Sequence, residues 1–380
     1  MNPIPESTPQ PKSTSNRFDV HEWAGAFGDL GTLIPFVVAY ITVLKMDAGG
    51  ILVAFGVALI AVGTIYKTPF PVQPMKAIGA ASVGQSALAM GLGSGAVIGL
   101  AGTGLAKRLS SWVPRPALLG VVMGLGFSFM LEGIRMMSAT PWMAGALLAL
   151  TLMLLSRPRL PAMLVVLVIG GAIACFEQPA LMNELAAIRP EFHWPSLAWG
   201  TLTLSDIWMG FIFLALPQLP LTFGNAYLSI TEENNRLFPD RTVSVKSVAT
   251  TTGLMNVASS LIGGVPMCHG AGGMAGHVQF GAKTGGSSII LGAILLLSGL
   301  FLSSSIGTIF KAFPASVLGV ILFLAGVQLA LGGRDAGSEK ADRFVILATA
   351  AFAVWNVGIA VLFGMAAYYG TRRGWLKVGS

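Results

Sequence analysis

An all-α polytopic membrane protein is the fold class the sequence predicts, with 14 transmembrane segments in a seven-plus-seven inverted repeat whose third and tenth segments are broken half-helices. Three observations lead there. Of 380 residues, 54% are hydrophobic and 10% charged, with a mean hydropathy of +0.75; soluble domains carry roughly 25% charged residues. The apolar runs approach the ~20 residues that cross a bilayer as a helix. Finally, Val72-Gln73-Pro74-Met75-Lys76-Ala77-Ile78-Gly79-Ala80 echoes Gly264-Val265-Pro266-Met267-Cys268-His269-Gly270-Ala271-Gly272, with Pro74 and Pro266 192 residues apart. A second echo, Leu119-Gly120-Val121 against Leu318-Gly319-Val320, stands at an offset of 199. Two matches at nearly one offset describe an internal duplication, and an odd number of spans per half inverts the second half.

The elements follow in order. Residues 1–22 are polar and read as a disordered cytoplasmic tail, not a cleavable signal peptide. The first repeat, 23–177, holds apolar runs at 23–44, 48–66, 92–106, 116–134, 141–156 and 160–176, and the broken segment 69–90. A polar, proline-containing connector, 178–205, comes next. The second repeat, 206–371, holds runs at 206–229, 245–262, 286–306, 315–332, 342–355 and 357–371, and the broken segment 266–284. Residues 372–380 form a second cytoplasmic tail.

Loop charges set the orientation. With the N-terminus inside, the outer loops receive Lys45, Arg135, Arg189 and Lys311, and Lys76 falls within a segment; the remaining Lys and Arg of the 23 fall inside. That bias follows the positive-inside rule. It explains the net charge of +7 by topology, without a nucleic-acid partner. Cys175 and Cys268 lie in separate apolar segments and make neither a disulfide framework nor a zinc spacing.

Four segments carry polar chemistry. The first contains Phe27-Gly28-Asp29-Leu30-Gly31-Thr32, with Asp29 a few residues into the span. An intramembrane acid is costly and faces a cavity or a partner, so Asp29 reads as a proton or cation coupling site, as a brace for the broken helix opposite, or as an interfacial cap. In the third, Pro69, Pro71 and Pro74 force an extended run, because a residue before proline is pushed out of the helical region. A helix can start at Pro74, with Lys76 in its first turn; a lysine there calls for a negative partner, either Asp29 or an anionic substrate. In the eighth, Pro217 and Pro220 break the helix, and Gln218, Thr222 and Asn225 recur at spacings that share one face, lining a cavity or bonding between helices. In the tenth, a helix starts near His269-Gly270-Ala271, where glycines permit close backbone approach. His269 could hold an oxyanion, carry a proton or cap the helix; a lone histidine is no metal site, and neither metal nor cofactor is expected. Glu132 and Arg135 read as an interfacial ion pair, and Glu232, Glu233, Arg236, Asp240 and Arg241 as a solvated inner loop.

These motifs (Phe27 to Thr32, Pro71-Val72-Gln73-Pro74-Met75-Lys76-Ala77 and Val265-Pro266-Met267-Cys268-His269-Gly270-Ala271-Gly272-Gly273) resemble the molybdate transporter family, itself related to the SulP sulfate permeases. The resemblance covers nearly all of 20–370. It implies the UraA/SulP-type fold: a core of spans 1–4 and 8–11, a gate of spans 5–7 and 12–14, and substrate between the half-helix starts of segments 3 and 10. It thereby implies substrate contacts at Gln73, Lys76, Ala77, His269, Gly270 and Ala271, with Gln218, Thr222 and Asn225 nearby. With the chain ending at Ser380, a C-terminal STAS domain is not expected.

The resulting expectation is a secondary transporter, not an enzyme, importing molybdate or a related tetrahedral oxyanion across the cell membrane by alternating access. Two half-helix starts each present about half a positive charge, which with Lys76 suits a dianion. Import against an inside-negative potential costs about 2.3 kcal/mol per charge per 100 mV, so coupling to a proton or cation at Asp29 or His269 is expected. A homodimer is compatible with this fold. A sulfate transporter of the same fold is the alternative; a nucleobase permease would prefer carboxylates in segments eight and ten.

Overall fold

The computed structural model describes residues 15–42, 46–75, 112–155, 162–195, 222–331 and 339–376. The architecture is helical, and the one small sheet among the described residues is the crossing of two very short strands. The chain enters through α1 (Val20–Ala26), a 3-10 turn (Phe27–Asp29) and α2 (Leu30–Thr42), then α3 (Ala48–Tyr66) and strand β1 (Gln73–Pro74). Next come α4 (Arg115–Met137), α5 (Pro141–Leu155), α6 (Ala162–Glu177) and α7 (Pro179–Ala186). A π-helical run (Thr222–Ser229) leads into α8 (Ile230–Leu237), α9 (Val245–Leu261), β2 (Met267–Cys268) and α10 (Ala271–Gln279). The remainder is α11 (Gly286–Phe301), a 3-10 turn (Ser303–Ser305), α12 (Ile306–Lys311), α13 (Ala315–Leu331), α14 (Lys340–Trp355) and α15 (Val357–Arg372).

Two antiparallel helix pairs set the frame, and glycine makes both possible. In α3 against α11, a Cβ on Gly56 would lie 2.7 Å from the Gly292 carbonyl, and one on Gly292 would lie 2.7 Å from the Gly56 carbonyl. In α4 against α13, Gly133 faces Gly319 and Gly126 faces Gly326 in the same reciprocal way. Small residues let backbones approach where lipid offers no hydrophobic drive between helices. Large apolar side chains such as Trp142, Met153, Phe176 and Leu362 point outward, as they should on lipid-facing helices.

β1 and β2 pair antiparallel, Gln73 with Cys268 and Pro74 with Met267. The Met75 amide then donates to the Pro266 carbonyl at 3.0 Å. Each Pro-Met step of the sequence echo thus faces the other.

Several elements differ from the sequence reading. The first span is not one helix: the 3-10 turn interrupts it where the Gly28 and Gly276 backbones touch. The connector contains α7, set at 110° to α6, with Pro179 at its start lacking an amide to continue the ladder. The span expected over 286–306 ends at Phe301, and the chain turns by 95° into α12. The described part of the eighth segment is π-helical, so an α-helical face does not apply to Thr222 and Asn225; the Ser229 hydroxyl bonds the Gly224 carbonyl five residues back at 2.8 Å. The charged stretch after it is not wholly solvated. Glu233 is buried and paired with Arg236 at 2.8 Å, and buried Asn234 accepts from Thr68 at 2.8 Å, because α8 folds back onto the core.

The helix pairing predicts its own test. Gly56→Leu drives a side chain into the α11 backbone and is expected to destabilise by at least about 1–3 kcal/mol, seen as a lower unfolding midpoint in detergent. Gly145→Leu, at a glycine with nothing within 4 Å, should leave the midpoint unchanged.

Candidate functional site

Extended backbone inside a membrane protein must find partners for every amide and carbonyl. Around the β1–β2 crossing they come from side chains. Asn256 of α9 acts as a third strand: its Oδ1 accepts from the Met267 amide at 2.9 Å and its Nδ2 donates to the Met267 carbonyl at 2.6 Å. The Ser259 hydroxyl holds the Val265 carbonyl at 2.8 Å, and Ser288 of α11 holds the Phe70 carbonyl at 2.8 Å. Tyr40 of α2 reaches the Met75 carbonyl at 3.4 Å.

On this scaffold α10 begins without a side-chain cap, at Gly270. The amides of a first helical turn have no intrahelical acceptor and carry the positive end of the helix dipole. Gln73 lies over that turn. Its Oε1 occupies the place a Gly270 side chain would take, and its Nε2 donates to Asp29 Oδ1 at 2.5 Å and to Thr32 Oγ1 at 2.8 Å. The Thr32 hydroxyl in turn donates to Asp29 Oδ1. Gln73 and Thr32 thus both donate to one oxygen of the Asp29 side chain. A Cβ on Gly273 would lie 2.7 Å from Asp29 Oδ2, so the carboxylate sits directly against α10.

Asp29, Gln73, Gly270 and Ala271 are thus brought together, with Thr32 added. His269 is buried beside them but engaged elsewhere: its Nδ1 bonds the Pro71 carbonyl at 2.9 Å and its Nε2 meets the Thr251 hydroxyl at 3.0 Å. A carbonyl can only accept, so Nδ1 carries a hydrogen. Phe70 packs edge-on to the imidazole with ring centres 4.9 Å apart. Thr222 is buried at the start of the π-helical run. Lys76, Ala77, Gln218 and the side chain of Asn225 lie outside the described residues.

A cavity of about 800 Å³ approaches this cluster between α2, α4, α13 and the α14–α15 junction. Thr32 and Phe129 line its deep part, and the Phe129 ring fills the place of a Gly272 side chain on α10. Glu132 and Arg135, paired at 3.1 Å and exposed, also line the cavity, as does Asn356.

Sequence reading passed over Thr32, Asn256 and Thr251. Thr32 was signalled by its place three residues after Asp29, on one face of a helical turn. Asn256 was signalled as an amide within an otherwise apolar run.

Solved structures share this architecture. The transmembrane domain of a cyanobacterial bicarbonate transporter, BicA, matches with a TM-score of 0.55 at 17% identity, over 90% of this chain and 97% of that one. The murine anion transporter Slc26a9 in its inward-facing state matches with 0.60 at 11% identity, over 95% and 69%. The fold is that of these transmembrane domains. The family model described as a molybdate transporter of the MFS superfamily matches residues 21–129 and 210–329. Molybdate transporter 2 of Arabidopsis thaliana is 32% identical over 90% of this chain and 85% of its own length, and Molybdate transporter 1 of the same plant 29% identical over 87% and 83%. The chain belongs to this molybdate transporter family, whose members are transporters and not enzymes.

The Asn256 clasp is open to measurement. Asn256→Ala strips both main-chain groups of Met267 of their partners and is expected to destabilise by about 1–3 kcal/mol for each group left unsatisfied. Unfolding in detergent should show it, and Asn256→Asp should not rescue it, because it keeps the acceptor but sets a second oxygen against the Met267 carbonyl.

Proposed function

We propose that this protein is a secondary active transporter that imports molybdate, coupled to protons, by alternating access of a core domain against a gate domain. The start of α10 carries this reading, and the names of the relatives supply the substrate. An uncapped helix start is a ready-made anion site, and here its glycines let polar groups, Gln73 and Asp29 among them, come up against the helix backbone. The substrate would rest on Gly270 and Ala271, with Gln73, Lys76, Ala77, Gln218, Thr222 and Asn225 around it and His269 holding the strand in place. The proposed arrangement is 14 spans in two repeats, 23–177 and 206–371, joined by 178–205, in the cell membrane with both termini cytoplasmic. The reciprocal pairing of the two Pro-Met steps, and of Gly126 with Gly326, supports a two-fold relation between the halves. The cavity from Arg135 to Thr32 would be the outer approach.

Asp29 gives the coupling a physical basis. Its carboxylate already lies against α10, so it competes with a dianion for the same positive helix end. Neutralising it by a proton removes that competition, and proton and substrate then favour each other's binding, as linkage requires.

Three measurements test this. Molybdate binding to the purified protein should be displaced by tungstate more readily than by sulfate, and should fall at least tenfold in Lys76→Ala; equal displacement by sulfate would identify a general sulfate-type carrier. Asp29→Asn is expected to keep binding within severalfold while uptake into proteoliposomes loses its dependence on pH. Uptake by the wild type that ignores both pH and uncouplers would count against proton coupling.

A further inference from the structure

We propose that the hydroxyls of Ser247, Tyr66 and Thr251 form a proton path joining His269 to the protein surface. The proposal rests on the reading of the chain as a proton-coupled carrier and assigns the route by which the proton leaves. His269 lies wholly within the protein, immediately before Gly270 at the start of α10. Its Nε2 is 3.0 Å from the Thr251 hydroxyl. Thr251 Oγ1 is 2.8 Å from the Tyr66 hydroxyl, which accepts from Ser247 at 3.3 Å. Tyr66 lines a cavity of about 340 Å³ together with Lys67 and Arg241. An unbroken line of exchangeable hydrogens therefore runs from half-buried Ser247, past a residue that lines this cavity, to a buried imidazole.

The directions of these bonds are mutually consistent. Nδ1 donates to the Pro71 carbonyl, so neutral His269 presents a lone pair at Nε2. Thr251 donates to that lone pair, Tyr66 donates to Thr251, and Ser247 donates to Tyr66. A proton arriving at the half-buried Ser247 oxygen releases the Ser247 hydrogen to Tyr66, the Tyr66 hydrogen to Thr251 and the Thr251 hydrogen to His269, leaving an imidazolium and three intact hydroxyls. Release runs the same steps backwards, with Nε2 donating to Thr251. Thr251 also lies 3.0 Å from the Val248 carbonyl. When its single hydrogen turns there, the path is interrupted, so rotation of one hydroxyl opens or closes it.

The groups around His269 and along the path come from several elements. Tyr66 comes from α3 and Phe70 from the segment after it, and Tyr40 and Tyr227 face the neighbouring Cys268. α9 carries Lys246 at its exposed start, and α8 carries Glu232, Glu233 and Arg236, with Glu233 paired to Arg236. α10 carries His277, bonded through Nδ1 to the Gly25 carbonyl at 2.8 Å. Asp29 is held by Gln73 and Thr32. Lys67 and Arg241 stand at the cavity end, where their charge favours release of a proton to water over its retention. A network that served only to brace β2 would not need to reach that cavity.

The test uses the full chain in proteoliposomes with a pH-sensitive dye inside. Tyr66→Phe keeps the ring against Phe70 (ring centres 4.2 Å apart) and removes the hydroxyl; Thr251→Val removes the next one, and Thr251→Ser restores it. Molybdate-driven proton entry should fall at least tenfold in Tyr66→Phe and Thr251→Val and return in Thr251→Ser, with equilibrium molybdate binding within twofold of wild type throughout. Proton entry unchanged in both variants would overturn the path. If the wild type moves no molybdate, the carrier reading fails separately, and the rate at which the His269 imidazole gains a proton at Nε2 after a drop in pH, followed by NMR of the ring, judges the path alone. Slowing of at least tenfold in Tyr66→Phe supports it, and equal rates overturn it.

Discussion

The structure depends on one constraint: extended backbone at membrane depth must have every amide and carbonyl answered from within the protein. Two short strands can answer few of each other's groups, and Pro74 brings no amide at all. The remainder is met by four side chains from three helices, Tyr40 of α2, Asn256 and Ser259 of α9, and Ser288 of α11. The crossing therefore fixes where those helices stand. The polar residues of α9 are explained by this duty, and so is the burial of the Asn256 amide in a helix that would otherwise gain from an apolar side chain there.

Holding those helices close falls to glycine. The reciprocal contacts of Gly56 with Gly292 and of Gly126 with Gly326 bring carbonyls to within reach of the facing backbone. At the start of α10 glycine has a different use. Gly270, Gly272 and Gly273 give their side-chain space to Gln73, to Phe129, and to Asp29 with Gln73 respectively. The same residue type packs the frame and keeps the half-helix start open to polar groups.

Much of this was legible before the fold was known. Proline at 69, 71 and 74, and Pro266 before a glycine-rich run, can only mean broken backbone, and the echo between them pointed to a meeting of the two. What sequence alone could not supply was side-chain partnership across long separations. Gln73 meets Asp29 across 44 residues, and Tyr66 meets Thr251 across 185. No local pattern encodes such pairs. The breaks at Phe27–Asp29 and after Phe301 were missed for a related reason: hydropathy registers apolarity but not the close approach that bends a helix.

The two polar clusters flank one point of the chain. Gln73, with Asp29 and Thr32, presses on Gly270 and Gly273; Thr251, backed by Tyr66, holds His269, the residue just before Gly270. β1 binds the two together, since Gln73 lies within it and pairs with Cys268, the neighbour of His269. A shift of α10 along its axis would thus alter the Asp29 contact and the His269 contacts in one movement. Charge at either acid or imidazole would bias that shift, because each changes the field at the same helix start. Coupling between an anion and a proton then needs no long-range relay. It needs only that both act on the first turn of one short helix, which the strand crossing ties to the residues on either side.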